Sequence, residues 1–407
     1  MDTHIENIDQ TASGTGTPTP DKLIAYARSM VPDLLERAQT CEENACISEN
    51  TLEEFRRYGL IRVCMPKKYG GYEYGWDVLV QICAELAKGC ASTAWVYAVF
   101  AEHANTAAGF SAEAQAELWE HGPDVFICSG GNTGTKESIE KKCTLTATDG
   151  GYLLNGWATF SSGCKHATWL ANNASLDDGS GMLHLLTPMS EGKIIDNWDT
   201  FALKGTGSCF VEFENCFVPY HRTFPSQDGV NGFTPGSKIY DAPVFRLPRI
   251  AVAPYSLVSV SVGIALGAVE QFVEAMETRI NRGGEKVGDF QSIHLRIAES
   301  AADARAAESL MLRNLRESEK LLQSRRLTNE ERLRNKRDMA YVCVLCQKAV
   351  DRLFYAWGGN GLYSSNDIQR KLRDVKAAGA HHQNNWDIYL TGWGRETLGL
   401  DVSAYRF

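Results

Sequence analysis

The sequence has no excess of basic residues, since 41 lysines and arginines stand against 50 aspartates and glutamates, giving a net charge of −9 at pH 7. Nucleic-acid phosphates are bound by basic surfaces, so nucleic acid is excluded as a main partner. No apolar run reaches the ~20 residues of a membrane span. The first twenty residues have neither the basic start nor the apolar core of a signal peptide. We therefore expect a cytoplasmic protein without a nucleic-acid or membrane partner.

Two kinds of cofactor motif are also missing. No G-x-G-x-x-G follows a predicted strand, which argues against a nicotinamide-binding Rossmann unit. Twelve cysteines are present, but most lie in apolar runs, as Cys64 and Cys128 do. The close pair Cys343 and Cys346 lies in a helical pattern, without the second pair that a zinc site requires. We expect buried, reduced thiols and no metal site.

The pattern of apolar residues divides the chain into three zones after a polar start. Apolar residues recur every three or four positions after Asp21, which predicts helices, and long amphipathic helices return after Pro254. Between these zones lie short β-rich runs, two of them joined by the hairpin signal Asp149-Gly150-Gly151. We predict an α+β fold with four parts: a disordered tail at 1–20, an N-terminal helical domain at 21–122, a central antiparallel β domain at 123–235 and a C-terminal helical bundle at 236–407.

Several short motifs follow one another over three hundred residues. They are CASTAWVYAVFAEH (90–103), NGWATFSSGCKHATW (155–169), ALKGTGS (202–208), CFVP (216–219), APVFRLP (242–248), and the stretch from WGGNG through RDVKAAGAHH (357–382). Taken together, and in this order, they resemble the acyl-CoA dehydrogenase superfamily. The similarity is greatest to its oxygenase branch, the oxygenase components of two-component flavin monooxygenases that act on 4-hydroxyphenylacetate and on steroid-derived phenols.

The resemblance implies an acyl-CoA dehydrogenase-like fold and a specific chemistry. A flavin-dependent monooxygenase would receive reduced FMN, or FAD, from a separate flavin reductase, react it with O2 to a C4a-hydroperoxide, and hydroxylate an aromatic or phenolic small molecule. Family members that hold FAD usually carry an Arg and a Phe-Gly step after the first long C-terminal helix. The chain has Arg279 and Arg282 there but no Phe-Gly, which favours FMN. The resemblance also implies a homotetramer, in keeping with the wide apolar stripes of the C-terminal helices.

The same resemblance implies which residues bind the flavin. The hydroxyl of Ser162 would hydrogen-bond the flavin N5, where it would restrain loss of the proton, and Phe160 would lie beside the ring. Ser129 precedes a glycine-rich loop that would wrap the flavin edge, and it would also lie near the aromatic substrate. Arg246 would lie by the flavin as a cation. Gly358 and Gly359 would contact a flavin phosphate across a subunit interface.

The candidate catalytic residues are histidines. Many dehydrogenases of the superfamily carry a carboxylate after the Arg-Asp pair, where this chain has His381 and His382. An imidazole that titrates near neutrality suits a phenol or a peroxide better than a carboxylate does. On a helix, two adjacent side chains point about 100° apart, so only one would face the ligand; the spacing from Asp374 favours His381, with His382 as the alternative. His103 would contact the substrate hydroxyl, although a histidine on an apolar helix is often only a core residue.

Other functions on this scaffold remain open from the sequence. The nearest is a true acyl-CoA dehydrogenase that holds FAD tightly. A monooxygenase of the same fold could instead act on nitrogen, sulfur or an indole, because the oxygen chemistry would be shared. A ligand-binding protein without enzymatic activity is the third alternative.

Overall fold

The computed structural model describes residues 16–131, 134–405 and 407, and its N-terminal third is helical. Helices α1 to α6 span Pro20–Ser29, Val31–Glu43, Glu49–Tyr58, Trp76–Gly89, Ala91–Ala107 and Ala112–Leu118. Helix α5 is buried on all sides, whereas α3 is amphipathic. Thr19 caps α1, Ser48 caps α3 and Ser111 caps α6, each accepting a backbone N–H with its side chain.

The middle of the chain forms one sheet. Strands β1 to β8 span Ile127–Ser129, Thr144–Thr148, Gly151–Ser161, Trp169–Leu176, Met182–Pro188, Lys193–Ile195, Cys209–Pro219 and Thr223–Pro225, with the short helix α7 at Lys136–Glu140. The order is β6-β7-β3-β2-β4-β5-β8, and β1 pairs with β4 off this path. Most pairs are antiparallel as predicted, but β1 and β2 each pair with β4 in parallel, so the sheet is mixed. The β2–β3 hairpin turns at 149–150, as expected.

Helices return after the sheet and build the C-terminal bundle. Helices α8 to α14 span Ser226–Asn231, Arg249–Val252, Tyr255–Thr278, Gln291–Leu322, Asn329–Trp357, Asp367–Gly379 and Trp386–Thr397. Helix α12 begins with a capping box between Thr328 and Glu331. Helix α10 is the centre of the bundle and packs against α4, α5, α11, α12 and α13, which joins the N-terminal and C-terminal helices into a common core.

This architecture confirms the predicted fold class of helical, β and helical parts. One helical stretch, 249–278, is long and apolar enough to cross a membrane, but 94% of its most apolar window is buried inside the protein, as a core helix is. Of the predicted tail, residues 1–15 lie outside the described residues. Among the described residues before 20, Pro18 accepts a hydrogen bond from the Tyr74 hydroxyl.

The described cysteines are unpaired thiols, and all except the half-buried Cys46 are buried. Cys343 and Cys346 lie on α12, in agreement with the prediction of buried reduced thiols. Among the described residues, no group of histidine, cysteine, aspartate and glutamate side chains is arranged to hold a metal ion.

Candidate active site

The end of strand β3 carries the hydroxyl that the sequence analysis selected. The β3–β7 register slips between Ala158 and Ser161, a bulge that places Phe160 at φ +55 and leaves its ring 47% exposed. A left-handed conformation in a bulky residue is strained, and such strain occurs at functional sites. The chain then turns at Gly163 (φ +74), where any added Cβ would lie 2.8 Å from the Phe100 ring. Because of this turn, Ser162 points inward and is buried.

Trp95 on α5 joins the two residues on which the functional prediction rests. Its indole Nε1 donates to the Ser162 hydroxyl over 3.1 Å. The edge of the same ring faces the imidazole of His381, with the ring centroids 5.8 Å apart. Ser162 and His381 therefore lie around one buried indole, although 219 positions separate them in the sequence. Their catalytic roles stay predictions, but the structure places them in one site.

The two adjacent histidines do not lie on an α-helix, so the angle of about 100° expected between their side chains does not apply. Helix α13 ends at Gly379, and His381 precedes a short 3₁₀ turn at His382–Asn384. The two imidazoles pack on each other with centroids 4.4 Å apart. The two differ in exposure: His381 is half-buried against Trp95, whereas His382 is exposed and contacts the Gln383 amide. This arrangement favours His381 independently of its spacing from Asp374.

The protonation state of His381 also differs from the expectation of a group titrating near neutrality. Burial, helped by the neighbouring His382 and Lys336, lowers the pKa of His381 to about 3. The ring is therefore neutral at physiological pH. Its Nδ1 accepts from the Gln383 backbone N–H over 3.4 Å, so the single ring proton lies on Nε2. His381 is thus a hydrogen-bond donor at Nε2 and a poor base.

A buried lysine holds this loop. Lys336 on α12 is fully buried, and its Nζ donates to the Gln383 carbonyl and, over 3.0 Å, to the Gln383 side-chain oxygen. It also lies 4.1 Å from the centroid of the Tyr389 ring. Burial lowers the pKa of Lys336 well below its ordinary value. These contacts fix the segment that carries His381 to the C-terminal bundle.

His103 has no nitrogen left for a ligand. Its Nδ1–H donates to the Val99 carbonyl over 2.7 Å, and its Nε2 accepts from Arg249 over 2.9 Å. Burial and the Arg249 charge lower the pKa of His103 to about 3, so the ring is neutral. Arg249 in turn pairs with the buried Glu102 over 3.6 Å. The predicted substrate contact would require Arg249 or Val99 to be displaced, so a core role fits His103 better.

The other predicted residues are placed at different distances from this centre. Ser129 ends β1, and the next residue, Gly130, approaches Ala158 and the Ser161 hydroxyl, so Ser129 borders the end of β3. Arg246 is half exposed and only weakly paired with Asp241, at 3.8 Å. Gly358 and Gly359 are exposed, with open space where side chains would be. Within one chain, the surroundings of Arg246 and of the two glycines include neither Ser162 nor His381.

Sequence reasoning missed four residues that shape the site: Trp95, Ser208, Thr206 and Lys336. Trp95, Ser208 and Thr206 do lie inside the quoted motifs 90–103 and 202–208, and an indole N–H or a hydroxyl in a buried segment would have been the available signal. Lys336 lies in an ordinary helical pattern. Nothing in its sequence context shows that it is buried.

Two comparisons define the class of protein. Residues 17–120 match the family described as acyl-CoA dehydrogenase, N-terminal domain, and residues 255–386 match acyl-CoA dehydrogenase, C-terminal domain. The chain is also similar to the crystal structure of 3-HSA hydroxylase from Rhodococcus sp. RHA1, with a TM-score of 0.88, 29% identity and coverage of 95% of this chain and 99% of that one. The fold is that of the acyl-CoA dehydrogenases, as the motifs predicted.

Similar sequences narrow the class to oxygenases. The chain is 33% identical to the oxygenase component of FADH(2)-dependent resorcinol hydroxylase of Rhizobium sp. (strain MTP-10005), over 89% of this chain and 91% of the relative. It is 29% identical to the oxygenase component of p-hydroxyphenylacetate 3-hydroxylase of Acinetobacter baumannii, over 95% and 92%. The chain belongs to the oxygenase components of flavin-dependent monooxygenases. The alternatives of a dehydrogenase or of a protein without enzymatic activity are not favoured.

The residues at the end of β3 fit the flavin that this family uses. The exposed Phe160 ring, flanked edge-on by Trp198 at 5.9 Å, offers an aromatic surface beside a flat ligand. One turn away, the buried Ser162 hydroxyl offers a polar contact for a ring nitrogen. Gly134 lies against Phe160, so the backbone can approach the same surface. An aromatic side chain with one fixed hydroxyl beside it suits a flat tricyclic ring that presents its N5 edge to the hydroxyl.

Proposed function

We propose that this monooxygenase hydroxylates a phenolic small molecule, with Ser162 and His381 acting on the two sides of Trp95. The single observation that supports this most is the convergence of both side chains on one indole ring. The names of the relatives, which are hydroxylases of resorcinol and p-hydroxyphenylacetate, support a phenol as the substrate class. When bound, reduced flavin supplies the two electrons that activate O2, so that one oxygen atom enters the ring and the other leaves as water.

Ser162 would hold the proton at the flavin N5. Its hydroxyl is buried and fixed by Trp95, so it costs little reorganisation when the flavin binds. Keeping this proton in place would prevent loss of the activated oxygen as hydrogen peroxide. Phe160 would stack beside the ring and keep water away from it. Ser129, at the border of the same strand end, would contact the ring edge or the substrate.

His381 would donate a hydrogen bond from Nε2 to an oxygen atom in the pocket. A neutral imidazole with a pKa of about 3 cannot take a phenol proton to any useful extent. Donation from Nε2 would instead orient the substrate hydroxyl or stabilise negative charge that develops on oxygen. Val99 and Arg249 occupy both nitrogens of His103, so we give His103 a structural role and not a substrate contact.

We propose FMN as the preferred flavin, delivered in reduced form by a separate reductase through free diffusion. The sequence after α10 has no Phe-Gly step, which weakens the case for an adenine-binding contact. A neighbouring subunit would bring its Gly358 and Gly359 to the flavin phosphate, since these glycines are exposed and their surroundings are open. A cytoplasmic location is in keeping with the free cysteine thiols.

A homotetramer is the assembly that we propose. The C-terminal region exposes a group of large apolar side chains that a monomer would leave in water: Tyr355, Leu362, Tyr363, Trp386, Ile388, Leu398 and Leu400. Light scattering should give a mass of about four times the chain mass of 45.0 kDa. A monomer mass at micromolar concentration would contradict the proposal and the cross-subunit role of Gly358.

The Ser162→Ala variant tests the role of the hydroxyl directly. With reduced FMN, O2 and a panel of phenols, the parent enzyme should convert most of the oxygen consumed into hydroxylated product. In the variant, the ratio of hydrogen peroxide to product should rise about tenfold, because the N5 proton loses its hydrogen-bond partner. The measurement is the ratio of peroxide to product.

Ser161→Ala is the matched control. The Ser161 hydroxyl is also buried at the end of β3, but it donates to the Ala158 carbonyl and belongs to the strand end itself. Coupling in this variant should stay near the parent value. Unchanged coupling in Ser162→Ala would remove Ser162 from its proposed role, and no product from any phenol would contradict the substrate class.

A further inference from the structure

Four side chains form a continuous line of hydrogen bonds that begins at Trp95. The Trp95 Nε1 lies 3.1 Å from the Ser162 hydroxyl, Ser162 lies 2.7 Å from Ser208, and Ser208 lies 2.7 Å from Thr206. Thr206 lies 2.8 Å from the Leu203 carbonyl. Ser162, Ser208 and Thr206 are all buried, so bulk water has little access to their hydroxyls.

The two ends of the line fix the direction of every bond in it. An indole N–H can only donate, so Trp95 donates to Ser162. A carbonyl can only accept, so Thr206 gives its single hydroxyl proton to Leu203. Thr206 must then accept from Ser208. Because Ser208 donates its only hydroxyl proton to Thr206, it must accept a hydrogen bond from Ser162.

Ser162 is consequently left as an acceptor. Its one proton points to Ser208, and one of its two lone pairs receives the Trp95 N–H. Only the second lone pair remains for a ligand. Reduced flavin carries a hydrogen on N5 and can donate to this lone pair, whereas the N5 of oxidised flavin has only a lone pair of its own and would face Ser162 as a second acceptor.

The far end of the line is anchored by the Arg-Asp pair from the sequence motif. Asp374 is buried and accepts from the Leu203 backbone N–H over 2.7 Å, and Arg373 donates to the Phe201 carbonyl. Leu203 itself has φ +49, a conformation that needs such support in a residue with a side chain. The motif thus holds in place the carbonyl that orients the whole line.

We propose that Thr206 and Ser208 are positioning residues that make Ser162 an obligate acceptor, and that the site thereby selects reduced over oxidised flavin. The inference rests on the proposed contact between Ser162 and the flavin N5. Neither residue touches the flavin in this scheme; both act through Ser162. Removing the Thr206 hydroxyl frees the Ser208 proton, which can then turn to Ser162 and release the Ser162 proton toward an oxidised N5.

The test is the ratio of the dissociation constants of oxidised and reduced FMN, measured by titration in air and without oxygen. In Thr206→Val and Ser208→Ala this ratio should fall about tenfold, the effect of roughly one hydrogen bond. The midpoint potential of bound FMN should fall by about 30 mV for the same tenfold change in a two-electron couple. Thr206→Ser, which keeps the hydroxyl, should restore both values.

Thr187→Val is the matched control, because the Thr187 hydroxyl is buried on β5 with no hydrogen-bond partner among the described residues. In Thr187→Val, the ratio of the dissociation constants of oxidised and reduced FMN should equal that of the parent. An unchanged ratio in both Thr206→Val and Ser208→Ala would overturn the proposal, as would a Thr206→Ser variant that behaves like Thr206→Val. If Thr206→Val fails to fold, Ser208→Ala decides alone. If Ser162→Ala also leaves both FMN affinities and coupling unchanged, the proposed function fails and not only the selection mechanism.

Discussion

Replacing His381 by alanine should lower the rate of product formation by about 10²-fold, the loss typical of removing one positioned hydrogen-bond donor to oxygen. The variant removes the Nε2–H that we propose to act on oxygen in the pocket. The hydrogen bonds that link Trp95, Ser162, Ser208 and Thr206 are left intact. Reduced FMN should therefore still bind, so the rate of hydroxylation should fall while the affinity for reduced FMN stays the same. Single-turnover product formation at saturating FMN is the measurement.

His382→Ala is the control, and it should keep most of the rate because the His382 ring is exposed and contacts Gln383. The parent rate should show no titration of His381 between about pH 5 and 8, since the pKa of His381 is lowered to about 3 and the ring stays neutral throughout. A large loss in His382→Ala with a normal rate in His381→Ala would exchange the two roles. A midpoint near 6.5 that disappears in His381→Ala would show that the ring does titrate.

Replacing Arg249 by methionine should destabilise the protein by about 3 kcal/mol at neutral pH, because a buried carboxylate loses its counter-ion. Glu102 lies in the core, where it accepts from the Ser256 hydroxyl over 2.6 Å and pairs with Arg249. The same change also removes the donor to His103. Urea unfolding gives the free energy of unfolding for parent and variant.

The loss should depend on pH in a defined direction. Burial raises the pKa of Glu102, and removing the Arg249 charge raises it further. When the pKa of a carboxyl is higher in the folded state than in the unfolded state, the free energy of unfolding is highest below the unfolded-state pKa. It falls as the pH rises through the folded-state pKa. The deficit of Arg249→Met should therefore be smaller near pH 5 than near pH 8.

Two further variants make this prediction decisive. Glu102→Gln combined with Arg249→Met should recover part of the stability and lose the extra pH dependence, because no carboxylate remains. Arg305→Met is the matched control, since Arg305 pairs with Glu308 on the exposed face of α11 and such pairs contribute about 0–1 kcal/mol. A deficit in Arg249→Met no larger than in Arg305→Met would mean that Glu102 is not held as an ion.

The sequence was a good guide to the fold because each element carries its own local signal. The three-to-four-residue period marked the helices, and the Asp149-Gly150-Gly151 turn marked the β2–β3 hairpin. It was a poorer guide at strand pairing, where β1 and β2 run parallel to β4. Which strands become neighbours depends on the path of the chain between them, and a short strand does not encode that path.

The roles of the predicted site residues stay predictions, but the structure shows the environment of each side chain. The hydroxyl of Ser162 and the imidazole of His381 were selected from motifs, and they do meet at Trp95. The helical geometry assumed for His381 and His382 was wrong because α13 ends two residues earlier. Burial, which no motif reports, lowers the pKa of His381 to about 3, whereas the sequence suggested an imidazole that titrates near neutrality.

By itself the sequence determined the order of helices and strands, the thiols that stay in the core, and the choice of Ser162 and His381 as candidate site residues. Only the tertiary structure decided which groups donate and which accept. Trp95 and Ser162 are 67 positions apart, Ser162 and Ser208 are 46 apart, and Lys336 and Gln383 are 47 apart. The direction of a hydrogen bond depends on every partner of both groups, and those partners meet only when distant segments pack together.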